Sequence, residues 1–301
     1  MVLGSGGARG IAHIGVIQLL LQDGYEIVEV VGCSMGAVIG GMYCAGFLSQ
    51  YNDWLLKQTK SDVYRLFDIT LSRQGFVKGE RIFGVLEQLA GKQQIESLAI
   101  PFTAIATDML TRTEVHFSQG DLYKALRAST GIPGVFTPVA ENNRLFVDGG
   151  VLNPLPVNAI KRRDDAIILA VNLNGAFSNE AIADKKPETD GMTRGESEGQ
   201  AIITKLRSFF NSATNTESKT AMPNIAIPNL SVFELLNASY DATLDRLVEV
   251  TLEKTPVDVL VEIPRNVCST FEFYRAAELI NIGKTAYTNA MVKSGLKDLT
   301  L

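Results

Sequence analysis

The chain has 301 residues, 46% of them hydrophobic and 20% charged, with a formal net charge of -5. That balance describes a globular protein with a sizeable core, and its acidic excess argues against a nucleic-acid surface. Cys33, Cys44 and Cys268 are odd in number and lack framework spacing, which predicts free thiols in a reducing compartment.

Met1-Val2-Leu3 reads as the stub of a first buried strand and runs straight into glycines, so no secretory leader is expected. The loop Gly4-Ser5-Gly6-Gly7-Ala8-Arg9-Gly10 follows, and then Ile11, Ile14, Ile17, Leu20 and Leu21 recur at helical spacing. A glycine-rich loop between strand and helix turns backbone N–H groups toward an anion. Three readings stand: a dinucleotide-binding loop, an oxyanion hole, and a tight turn for close helix–sheet packing. Against the first, Arg9 stands where the dinucleotide fingerprint wants glycine.

Val28 to Val31 is the second predicted strand. It ends in Gly32-Cys33-Ser34-Met35-Gly36, and a small-residue helix runs on to about Phe47. This is the sequence form of a nucleophile elbow, with a serine on a sharp turn between buried strand and helix. A plain strand–turn–helix corner gives the same letters. Ile27 to Leu48 is apolar enough to resemble a membrane span, but Glu29 and the elbow glycines interrupt it.

One or two amphipathic helices are expected over Tyr51 to Phe67, with Trp54 as a core or rim anchor, and another helix over Gly79 to Ala90. Pro101 to Thr107 and Thr113 to Phe117 read as strands joined by Asp108 to Arg112. A short helix over Asp121 to Ser129 leads to a turn at Asn142-Asn143 and a strand, Arg144 to Val147. Asp148-Gly149-Gly150 closes that strand, where open α/β sheets place functional groups and where Asx turns also occur. Asn153-Pro154-Leu155-Pro156 is expected to open a helix to Arg162, and Ala166 to Val171 to form a strand. Residues 174–199 are polar and aperiodic, a surface loop or lid. Helical patterns return at Ala201 to Phe210 and Ser231 to Leu252, followed by a strand, Val257 to Ile263, and a closing helix, Glu272 to Val292. Alternating strands and helices predict one α/β domain over residues 1–301 with a largely parallel sheet.

A serine hydrolase usually takes a histidine as base. The order Ser34, Asp108, His116 is available, but the elbow of such triads follows several strands and this one follows a single strand. His116 falls within a strand pattern and His13 on the first helix, so both read as structural. Asp148 is then the candidate base, a carboxylate able to take the Ser34 proton directly.

In their order, the Gly4–Gly10 loop, Gly32-Cys33-Ser34-Met35-Gly36-Ala37 and Asp148-Gly149-Gly150 resemble the patatin-like phospholipases, lipid acyl hydrolases sharing a core with cytosolic phospholipase A2. Supporting matches are Ile11 to Val16, Ala128-Ser129, Ile132 to Phe136 and Phe271 to Ala277. The resemblance covers residues 1–172, taken as the catalytic core, with residues 200–301 as a C-terminal helical segment holding one more strand. It implies a three-layer α/β/α fold with a mainly parallel central sheet and the elbow after the second strand.

The resemblance further implies a Ser–Asp dyad with Ser34 as nucleophile and Asp148 as base. The amides of Gly6, Gly7 and Ala8 would hold the oxyanion, with Arg9 orienting that loop or meeting a phosphate headgroup. Gly4, Gly10, Gly32, Gly36, Gly149 and Gly150 complete the motifs. No metal or cofactor is implied. The expected partner is a lipid or acyl ester, met in the cytoplasm or at a membrane periphery, and no nucleic acid. Ser5 stands where the family often has glycine, and Cys33 where threonine is usual. The rival expectation is a regulatory or scaffold protein that keeps the fold with little lipid turnover.

Overall fold

The computed structural model describes residues 1–68, 70, 75–176 and 232–297. Most of the expected polar loop at 174–199 and all of the helical pattern Ala201 to Phe210 lie outside the described residues.

Among the described residues, one eight-stranded sheet organises the fold. Its strands are β1 (Val2–Leu3), β2 (Val30–Cys33), β3 (Phe102–Asp108), β4 (Thr113–Phe117), β5 (Val139–Glu141), β6 (Arg144–Asp148), β7 (Leu169–Gly175) and β8 (Val259–Pro264). Neighbours run in the order β5-β6-β3-β2-β1-β7-β8, with β4 also paired to β3. The β3-β2-β1-β7-β8 run is parallel, while β4, β5 and β6 join antiparallel. The expected mainly parallel α/β sheet is observed.

Alternation along the strands divides the core into two layers. Leu3, Val30, Ala104 and Val171 face a core shared with three helices: α1 (Ala12–Gln22), α2 (Met35–Cys44) and, near the C-terminus, α8 (Ala276–Lys293). Between α2 and α8 in sequence come α3 (Leu48–Leu56), α4 (Lys60–Leu66), α5 (Glu80–Ala90), α6 (Leu122–Ser129) and α7 (Val232–Lys254). The opposite sheet face sets Val2 and Ala170 against Leu155, Val157 and Val248 of α7. All three cysteines are buried.

The registers around β3 position everything that follows. Ile105 pairs with Cys33 of β2 on one side and His116 of β4 on the other; Ala106 pairs with Asp148 of β6 and Val115 of β4. β2 and β6 therefore occupy the same edge of β3 in succession. They run toward each other, and their C-terminal ends meet at adjacent rungs.

Two expectations need correction. The helix expected from Asn153 to Arg162 is only a short 3-10 turn, Val157–Ala159. Two prolines remove amides there, and the Pro154 carbonyl accepts the Ser5 N–H instead of a helical one. The strand β5 was not anticipated. It forms a hairpin with β6 across Asn142 and Asn143, both at positive φ (50° and 58°), the turn conformation asparagine tolerates.

Candidate active site

Ser34 follows β2 directly and precedes the first residue of α2. Its backbone sits at φ 55° and ψ -124°, a conformation rarely adopted by residues other than glycine. The chain can turn this sharply because its flanks are bare. A Cβ on Gly36 would strike the Leu3 carbonyl, and one on Gly32 would strike the Gly36 carbonyl. The turn is also bonded in place: Ser34 N donates to Ser129 Oγ at 2.9 Å, and Ser129 Oγ donates to Ile105 O at 2.6 Å. The first free amides of α2 lie behind the serine, with the positive end of the helix dipole.

Asp148 arrives from β6. Ser34 Oγ donates to Asp148 Oδ2 at 2.5 Å, and Gly150 N donates to Asp148 Oδ1 at 2.7 Å. Cys33 Sγ lies 3.9 Å from the same Oδ1. Both members of the pair are 3% exposed. Burial pushes the Asp148 carboxyl up to about 6, against the hydrogen bonds from Ser34, Gly150 and Cys33, which pull it down. Burial, and then the charges of Asp148 and Glu114, push the Cys33 thiol well up, so it is a neutral neighbour of the pair. Gly149 fits against the strand because any Cβ there would collide with the Ile105 carbonyl.

The glycine-rich loop is bolted down at several points. Gly4 N donates to Val171 O at 3.0 Å, Ser5 N to Pro154 O at 2.8 Å and Ala8 N to Thr270 O at 2.9 Å. Buried His13 donates from Nε2 to Gly4 O at 3.0 Å, since a carbonyl can only accept. Burial lowers that imidazole to about 4, so it is neutral at pH 7. Arg9 turns away from Ser34 toward the end of β7: Nε donates to Leu173 O at 3.0 Å, and Asn174 Oδ1 and Arg265 O are each 3.4 Å from the fork. These bonds tie the glycine-rich loop to the end of β7. Ala8, expected beside Gly6 and Gly7 as an oxyanion donor, has its amide engaged by Thr270. His116 is half exposed on β4, with Nε2 3.3 Å from Glu114 Oε2, and it does not approach Ser34.

Ser34 opens on a largely apolar cavity. Met35 and Val38 of α2, Tyr51 and Trp54 of α3, and Ile82 and Phe83 of α5 form much of its wall, and Gly7 and Thr270 also line it. Trp54 thus lines the cavity as well as packing on the core, stacked on Tyr51 at 5.9 Å between ring centroids. Sequence reasoning missed Thr270, whose contact with the loop is purely tertiary. It also missed Tyr240 of α7, which no motif marks; burial first, then the charges of Asp148 and Cys33, push its phenol up.

A strand-end serine bonded to a buried carboxylate, beside a glycine-rich loop and an apolar cavity, is an arrangement suited to acyl transfer. The sequence profile described as patatin-like phospholipase matches residues 1–160. The chain belongs to that family. It is similar to an uncharacterized NTE family protein of Mycobacterium tuberculosis, 36% identical over 325 residues, covering 97% of this chain and 90% of that protein. It is also similar to a lysophospholipase NTE1 of Candida albicans, 26% identical over 94% of this chain and 19% of that much longer protein. Among solved structures, VipD from Legionella pneumophila matches with a TM-score of 0.44 and 14% identity over 97% of this chain and 66% of that one. No helix among the described residues is long and apolar enough to cross a membrane.

Proposed function

We propose that this protein is a serine hydrolase of fatty acyl esters, phospholipids or lysophospholipids among them, acting through a Ser34–Asp148 dyad. The observation that carries the reading is the 2.5 Å bond from Ser34 Oγ to a buried carboxylate at the mouth of an apolar cavity. Family membership and the lysophospholipase name of the Candida relative support the lipid class.

In this mechanism Ser34 Oγ attacks the ester carbonyl carbon as its proton passes to Asp148 Oδ2. The negative charge that develops on the carbonyl oxygen meets the amides of Gly6 and Gly7; Ala8 joins only if its amide leaves Thr270. The tetrahedral intermediate collapses, the leaving alcohol takes the proton from Asp148, and an acyl-serine remains. Asp148 then deprotonates a water that attacks the acyl carbonyl, and the proton returns to Ser34 Oγ as the fatty acid departs. A carboxylate raised to about 6 is matched to this work near neutral pH, being largely ionised yet more basic than an exposed aspartate. The acyl chain occupies the cavity, while the headgroup remains at its mouth. No metal or cofactor has a step in this scheme.

The test is turnover of short and long p-nitrophenyl acyl esters, then of a lysophospholipid, by wild type, Ser34→Ala and Asp148→Asn. The expected result is activity in the wild type that falls by about a thousandfold or more in both folded variants. Activity surviving in Ser34→Ala would overturn the serine mechanism. A folded but inactive wild type would favour the regulatory reading.

A further inference from the structure

A short stretch, residues 149–155, touches both halves of the proposed machinery. At its start Gly149 O accepts the amides of Leu152 (3.1 Å) and Asn153 (2.8 Å), closing the turn that aims Asp148. At its end Pro154 O accepts the Ser5 amide at 2.8 Å, holding the glycine-rich loop. Asn153 lies between these two attachments and is 2% exposed. Its Nδ2 donates to Glu114 Oε2 on β4 at 2.9 Å and to Asn158 Oδ1 at 2.7 Å. Its Oδ1 has no partner among the described residues, so this amide acts as a donor only. β4 lies on β3 opposite β6, so the bond to Glu114 ties the irregular stretch to the sheet that carries Asp148.

We propose that Asn153 is a positioning residue that keeps base and oxyanion loop in one register, with Glu114 as its anchor. The proposal rests on the Ser–Asp hydrolase reading. A buried amide donating to a carboxylate forms a charge-assisted bond, and removing the amide breaks it. The backbone between Asp148 and Ser5 then loses its side-chain tie to the sheet. Asn153 does not line the cavity, so the effect falls on the chemical step rather than on substrate binding.

The experiment compares wild type, Asn153→Ala, Asn153→Asp, Glu114→Gln, the double variant Asn153→Asp/Glu114→Gln, and His116→Ala on a short acyl ester. In Asn153→Ala and Asn153→Asp, kcat falls about ten- to a hundredfold, the range set by small misplacements of reacting groups, with KM changed by less than about twofold. Glu114→Gln keeps an amide oxygen to accept the bond and stays close to wild type. The double variant regains activity because donor and acceptor are exchanged across the same pair. The acidic limb of the pH profile moves upward in Asn153→Asp, where a new negative charge disfavours ionisation of Asp148. His116→Ala, which removes the other neighbour of Glu114, leaves the rate unchanged. Full kcat in Asn153→Asp, or a folded double variant no more active than Asn153→Asp, overturns the proposal. If either single variant fails to fold, the folded double variant decides alone. Activity surviving in Ser34→Ala sinks the hydrolase reading beneath it, a separate outcome.

Discussion

Replacing the buried Asp148 by its neutral isostere should make the protein more stable, and only above a defined pH. Asp148 titrates at about 6 in the folded protein against 3.8 unperturbed, because burial outweighs its three hydrogen bonds. Between those values the folded state holds a proton that the unfolded chain has released. Stability therefore falls as pH rises through this window and stays reduced above it. The shift is roughly two pKa units, and at about 1.4 kcal/mol each it amounts to about 3 kcal/mol at pH 7 to 8. An asparagine keeps the acceptor for the Gly150 amide but forfeits the charge-assisted bond from Ser34, which takes back about 1 kcal/mol. Asp148→Asn should thus match or fall slightly below wild type near pH 4 and exceed it by about 2 kcal/mol at pH 7.5. For a chain of this length that is a rise of roughly 3 °C in melting temperature. Calorimetric or dichroism melts of both proteins from pH 4 to 8 measure it. A difference that stays constant across that range, or a variant less stable at pH 7.5 than at pH 4 relative to wild type, refutes the argument that burial governs this carboxyl.

The same shift sets the activity profile. kcat/KM on a neutral ester should fall tenfold per unit below about pH 6, and a limb centred near pH 4 would show an ordinary solvated aspartate at work. At the elbow, Ser34→Ala retains the positive φ of 55°, whereas Ser34→Gly relieves a strain of about 1–3 kcal/mol and gives back under about 1 kcal/mol through a freer unfolded chain. Both variants are inactive, but the glycine variant should melt at the higher temperature; equal or reversed melting points would mean the turn stores no strain.

What the sequence made legible was local. Gly32 to Gly36 and Asp148 to Gly150 are short patterns in which a strand end, a tight turn and bare glycines are all written within a few positions, and the structure places each at its strand end. The cavity was illegible for the opposite reason. Trp54, Phe83 and Thr270 come from segments far apart in the chain and acquire a common purpose only when α3 and α5 pack beside α2. The role of Ala8 shows the limit of a motif carried over as a unit, because its amide is claimed by the Thr270 carbonyl from a segment no glycine pattern predicts. The absent helix after Asn153 has the same origin. Pro154 is read locally as a helix opener, yet its carbonyl is bonded to Ser5, so a tertiary contact overrides the local signal.

An aspartate as the proposed base follows from the sheet rather than from the serine. A histidine reaching an elbow serine ordinarily comes from a loop long enough to bring its ring over the strand ends. Here β2 and β6 converge on one edge of β3, and the rungs Ile105–Cys33 and Ala106–Asp148 are neighbours. Two residues at meeting strand ends lie close enough for a short side chain to reach the serine hydroxyl. The carboxylate is therefore fixed by backbone pairing, and what it lacks in basicity relative to imidazole it regains by burial between the two strands. That coupling predicts that Asp148→Glu, one methylene longer in a site with both carboxylate oxygens already engaged, is folded but far slower than wild type. Activity within about twofold of wild type would mean that the serine tolerates its base at a different distance, and that strand convergence does not set the geometry.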